Sequence, residues 1–101
     1  MGIFNIQLTK TAADDLGFIP GDLRRKILQN IKTPSSNPFL FGGTIKILRG
    51  FKPPLYRLRS GDYRVLYRVQ GETVTIMRVI DRKDLERMIK RIKNPAHRVG
   101  L

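Results

Sequence analysis

Three alternating segments stand almost back to back in the second half of the chain: Leu55–Ser60, Tyr63–Gln70 and residues 73–80. Each is rich in Val, Ile, Leu or Tyr, and only Gly61-Asp62 and Gly71-Glu72 separate them. Glycine-led gaps of that length between strand-like runs predict tight hairpins, so the region is held to an antiparallel meander. Ahead of it the period changes. Ala12, Ala13 and Leu16 follow Thr9, whose hydroxyl can cap a helix, and Leu23, Ile27, Leu28 and Ile31 form a second helical stripe. Residues 3–8 alternate and predict a short strand. Behind the meander, Asp81 opens a last helix with Leu85, Met88, Ile89 and Ile92 on its apolar side. Asp84, three residues on, predicts a capping box. Residues 33–43 carry prolines, serines and a Gly-Gly pair and are expected to be a loop, pinned by Phe39, Leu40 and Phe41. Residues 45–50 read as a short strand or an extended lead-in, and Pro53-Pro54 bars a helix after them. Helices segregated from antiparallel strands give an α+β fold.

At 101 residues the chain suffices for one domain, and 41% apolar residues can fill a single core. It holds no cysteine, which excludes disulfides, thiolate metal sites and cysteine nucleophiles and suits a reducing, cytoplasmic setting. The single histidine, His97, excludes a multi-histidine metal site, and its place beyond Pro95 reads first as a solvated tail. No apolar run is long enough to span a membrane, and the first residues lack the pattern of a secretory leader.

Charge is the compositional outlier. Twenty Lys and Arg against eight Asp and Glu give +12. Residues 1–44 carry only +2 of this, and residues 45–101 carry +10. An anionic partner is therefore expected on the second half. The basic residues are interleaved with apolar ones, so they are displayed by folded structure and not by a basic tail.

Strand alternation sorts them. Val65, Tyr67 and Val69 share one face of the middle strand, and Arg64, Leu66 and Arg68 the other. If helices cover the first face, Arg57, Arg59, Arg64 and Arg68 are left together on an open one. Strict alternation puts Arg78 with Val74, Ile76 and Ile80, so its membership depends on register. Such a row could be a plain solvated face. Like charges on neighbouring strands repel, however, and these three segments hold no carboxylate to relieve them. Tyr67 reads as core. Tyr63, near a turn, could stack on a base. Gly42-Gly43 reads as loop, and Arg87, Lys90, Arg91 and Lys93 form a basic helix face.

The stretch Leu48-Arg49-Gly50, then Leu55-Tyr56-Arg57-Leu58-Arg59-Ser60-Gly61-Asp62-Tyr63-Arg64-Val65-Leu66-Tyr67, then Val79-Ile80-Asp81-Arg82, resembles the RelE/ParE toxin superfamily. The resemblance implies a RelE-like domain over residues 1–94, with two N-terminal helices packed on a small antiparallel sheet, a C-terminal helix, and a short tail over 95–101. It implies a toxin held in check by an acidic, RelB-like antitoxin. RelE-like members cleave mRNA in the ribosomal A site without metal or cofactor, so ribosome and mRNA are the implied partners, with no small-molecule substrate and no membrane. ParE-like members instead poison DNA gyrase by binding, and a non-catalytic RNA-binding role is a further alternative.

Carried over position by position, the resemblance picks out Arg57, Arg59, Arg64 and Arg82. Arg57, Arg64 and Arg82 are expected to be catalytic, with Arg59, Arg68, Arg78, Lys52 and Arg49 gripping RNA. Many relatives place a histidine before the last of these catalytic arginines and a tyrosine shortly after it. Here Asp81 and Glu86 occupy those places, and Glu86 becomes the expected proton acceptor or orienting group. Its plainer role is an i,i+4 pair with Lys90.

Overall fold

The computed structural model describes residues 4–39 and 43–93. The chain runs β1 (Asn5–Leu8), α1 (Lys10–Gly17), α2 (Gly21–Asn30), α3 (Lys32–Ser36), β2 (Ile45–Leu48), β3 (Leu55–Ser60), β4 (Tyr63–Gln70) and β5 (Thr73–Asp81). A 3₁₀ turn at Arg82–Asp84 then leads into α4 (Leu85–Lys93). The fold is α+β, as expected. Residues 95–101, with His97, lie outside the described residues, as do Leu40, Phe41 and Gly42.

The sheet has five strands in the order β1-β5-β4-β3-β2. β2 through β5 are antiparallel neighbours, but β1 runs parallel to β5, with Asn5 opposite Thr73 and Leu8 opposite Ile76. The expected antiparallel sheet is thus present, and β1 adds a parallel strand at one edge. Gly61 and Gly71 each take φ of +58° in the hairpins, a backbone state that glycine adopts without a Cβ clash. The expected loop over 33–43 begins as a helix. Pro34 is tolerated there because it falls in the first turn, where its missing N–H would have had no partner.

One sheet face carries the main core. Val65, Tyr67, Val74 and Ile76 are wholly buried there against Ala12, Leu16, Ile27 and Ile31 of the helices. Tyr67 stacks on Tyr56 at 5.3 Å, and its hydroxyl donates to the Pro38 carbonyl at 2.6 Å. Burial holds the Tyr67 phenol well above its ordinary pKa. Tyr67 is therefore core, as expected, and Tyr63 packs half-buried on the same cluster. Phe39 meets Tyr56 and Phe4 edge-on.

β5 departs from strict alternation. Leu66 faces Arg78 across the ladder while Tyr67 faces Ile76, so Met77 is an extra residue. This bulge lets Ile76 and Val79 both enter the main core. α1 is fastened to it at two points. The Thr9 hydroxyl donates to the Met77 carbonyl at 3.0 Å and accepts from the Ala12 N–H, capping the helix as expected. The Asp15 carboxylate accepts from the Val79 N–H at 2.9 Å and from the Arg78 guanidinium at 2.7 and 3.0 Å.

The capping box is corrected too. Asp81 accepts from the Lys83 N–H and so caps the 3₁₀ turn, but Asp84 pairs forward with Arg87 and not back to the cap.

Candidate functional site

The other sheet face is not left wholly open. Leu55, Leu66 and Ile80 form a small second core there, covered by Leu48, Phe51, Met77 and, from α4, Leu85 and Met88. Basic residues surround this apolar island. Register puts Arg57 between Lys46 and Leu66, and Arg59 directly opposite Arg64. Lys46 was absent from the sequence-derived set. Its signal lay in the alternation of β2, which gives it the same face as Leu48.

Arg57, Arg59, Arg64 and Arg82 gather toward one end of this face. Burial, with the positive charges of Arg64 and Arg59, lowers the pKa of Arg57. Arg64 is lowered by burial, then by Arg59 and Arg82, against an opposing pull from Asp62 and Asp81. The four guanidinium groups therefore feel one another. An arginine so disposed stays charged, since its ordinary pKa exceeds about 12. Few contacts hold these side chains. Arg57 donates long bonds to the Gly43 and Thr44 carbonyls at 3.4 and 3.3 Å, and its Nε is buried without a partner. Arg64 donates to the Gly61 and Tyr63 carbonyls, both at 2.9 Å. Arg82 stands 3.6 Å from Asp62, but both are mostly exposed, so the pair holds weakly. A concentration of oriented donors, offset only in part by Asp62 and Asp81, suits a phosphate, which an arginine can grip with two N–H groups.

The remaining candidates are placed differently. The bulge sets Arg78 opposite Leu66, on the side of the arginine face, but its side chain reaches to Asp15 and touches the Met88 sulfur at 3.3 Å. The hydrogen bond to Asp15 raises its pKa, and it serves as a tether between α1, β5 and α4, not as a member of the arginine cluster. Arg68 is on the arginine face but beyond Leu66, away from the cluster. Arg49 and Lys52 are exposed in the β2–β3 connection. Glu86 is exposed on α4, in a shallow groove with Lys83, Arg87, Lys90 and Arg91. Among the described residues it forms no ion pair with Lys90, and the carboxylates acting on Arg64 are Asp62 and Asp81.

Comparison with known proteins adds an independent line. The family described as the ParE toxin of the type II toxin–antitoxin system parDE matches residues 6–86. Toxin RelE3 of Methanocaldococcus jannaschii is 32% identical over 82 residues, covering 79% of this chain and 92% of that toxin. In the RelE–RelB complex of Pyrococcus horikoshii, a chain 25% identical superposes with a TM-score of 0.68, over 79% of this chain and 96% of that one. A chain of the toxin–antitoxin complex RelBE2 from Mycobacterium tuberculosis is 29% identical, also with a TM-score of 0.68, over 79% and 99%.

Proposed function

Since the chain belongs to the RelE/ParE toxin superfamily and is a RelE-like toxin of a toxin–antitoxin system, we propose that it is a metal-independent endoribonuclease that cuts mRNA on the ribosome. The observation that carries this reading is the convergence of Arg57, Arg59, Arg64 and Arg82 on one face, where burial and neighbouring cations act against the charge of Arg57 and Arg64, and Asp62 and Asp81 offset it only in part at Arg64.

The chemistry follows from that charge. The ribose 2′-oxygen attacks the adjacent phosphorus, a P–O bond forms to close a 2′,3′-cyclic phosphate, and the bond to the next nucleotide's 5′-oxygen breaks. The proton lost from the 2′-hydroxyl is balanced, through solvent, by the one gained by that 5′-oxygen. Negative charge builds on the phosphoryl oxygens meanwhile. Arg57, Arg64 and Arg82 stabilise it, since preoriented donors act most strongly where charge develops. Arg59 and Lys46 hold the flanking backbone. The ribosome supplies alignment of the 2′-oxygen with the scissile bond, a large share of such a barrier. Glu86, exposed on α4 and not among the carboxylates acting on Arg64, is assigned no proton transfer. An acidic, RelB-like antitoxin would neutralise the same face, and a cytoplasmic location follows from a ribosomal target.

Toeprinting on programmed ribosomes tests this directly. Cuts at codon-defined positions after addition of the purified protein are the expected result. Intact mRNA, with cleaved DNA–gyrase complexes in a parallel assay, would overturn it in favour of gyrase.

A further inference from the structure

At the far end of the arginine face, a cavity of about 230 Å³ is lined by Pro53, Arg68, Val69, Gln70, Thr75 and Met77. Arg68 and Thr75 are partners across the β4–β5 ladder, so their side chains share a face. The Arg68 Nε is buried and has no hydrogen-bond partner. A buried donor in that state is costly unless something else completes it. The walls differ in kind: a guanidinium, a carboxamide and a hydroxyl stand beside the apolar flanks of Pro53 and Met77.

We propose that this pocket binds one nucleotide of single-stranded RNA, its phosphate on Arg68 and its base between Pro53 and Met77, within reach of Gln70 and Thr75. The inference rests on the reading of the arginine face as an RNA-cleaving site, and it names a second contact on the same strand of RNA. Arg64 and Arg68 are four residues apart on β4, roughly 13 Å at the usual strand rise. An extended RNA strand crosses that distance in a few nucleotides. An acidic peptide would use the guanidinium alone. A nucleotide uses every wall: phosphate for the cation, base edge for amide and hydroxyl, base face for the apolar flanks.

Equilibrium binding of a short, labelled single-stranded RNA across a salt series tests the pocket without relying on cleavage. Arg68→Ala is expected to weaken binding about tenfold and to lower the salt slope by about 0.7, the value of one phosphate contact on a single strand. Arg68→Lys should keep the slope. Gln70→Ala and Thr75→Val should weaken binding while leaving the slope alone, because they remove no charge. These changes are separable from misfolding, which would move affinity and slope together in every variant. Wild-type affinity and slope in Arg68→Ala would overturn the proposal. So would a loss confined to poly-glutamate binding, which would assign the pocket to an acidic protein. If the wild-type protein binds the RNA through Arg68 yet leaves mRNA on ribosomes whole, the pocket stands and the cleavage reading falls.

Discussion

The two faces of the sheet treat polar groups in opposite ways. On the helix-covered face, the buried hydroxyl of Tyr67 has its acceptor, and Ser60 accepts from Asn30 at 2.7 Å. On the other, Arg59 sits directly across from Arg64, and two buried guanidinium nitrogens go without partners. The first face is complete by itself. The second carries an unmet demand for anions. One side of the β4 strand thus serves stability alone, while the other sets binding residues around a small second core at Leu66.

That division can be broken most directly at the arginine cluster. Arg64→Ala and Arg82→Ala should each slow mRNA cleavage by roughly 10²–10³, the scale of one lost donor to a developing oxyanion. Unfolding in urea should shift by no more than about 0.5 kcal/mol for the exposed Arg82, as for most exposed substitutions, and by little more for the half-buried Arg64. A variant that melts early would mean that the second face is structural after all.

Tyr67→Phe is the mirror experiment. It should cost about 1–3 kcal/mol of stability, because the buried Pro38 carbonyl loses its donor. It also has a pH signature. The Tyr67 phenol titrates higher in the folded state than in the unfolded chain, so its contribution is full below about pH 10, the free tyrosine value. That contribution is lost as pH rises from there through the folded value. Alkaline unfolding curves should show this loss in the wild type and lack it in Tyr67→Phe.

Salt gives a smaller, sharper contrast. Directly opposed like charges on a sheet cost about 0.2–1 kcal/mol, and added salt screens them. The melting temperature should rise with modest salt, and the rise should shrink in Arg59→Ala. The smallest effects are expected outside the cluster. Glu86→Gln should cut cleavage far less than the 10²-fold of a lost general base, and Arg25→Ala on α2 should change neither rate nor stability. A large loss in Glu86→Gln, measured by toeprint time courses, would move proton transfer onto α4.

What was legible in the sequence depended on locality. The Thr9 cap, the glycine hairpins and the placement of Arg57, Arg59 and Arg64 opposite Tyr67 all follow from neighbours within a few residues. Arg78 did not, because its position is decided by Asp15, 63 residues earlier in the chain. A bulge at Met77 is stabilised by α1 gripping both sides of it, and periodicity within β5 carries no trace of that grip. The second small core was hidden for a related reason: Phe51, Leu85 and Met88 come to Leu66 from a loop and a helix whose packing partners no alternation rule names. The parallel pairing of β1 is equally remote, since four residues show no direction by themselves.

That last pairing has a bearing on when the protein becomes whole. β1 leaves the ribosome ahead of the other four strands, yet its ladder partner on β5 does not exist until residues 73–76 have been made. The three-stranded meander can close from short-range contacts alone, while β1 must wait and then return across most of the chain. Arg82 follows β5 and is among the last of the arginine cluster to be synthesised. A nascent chain therefore has no finished sheet and no complete arginine cluster until β5 and Arg82 have been made.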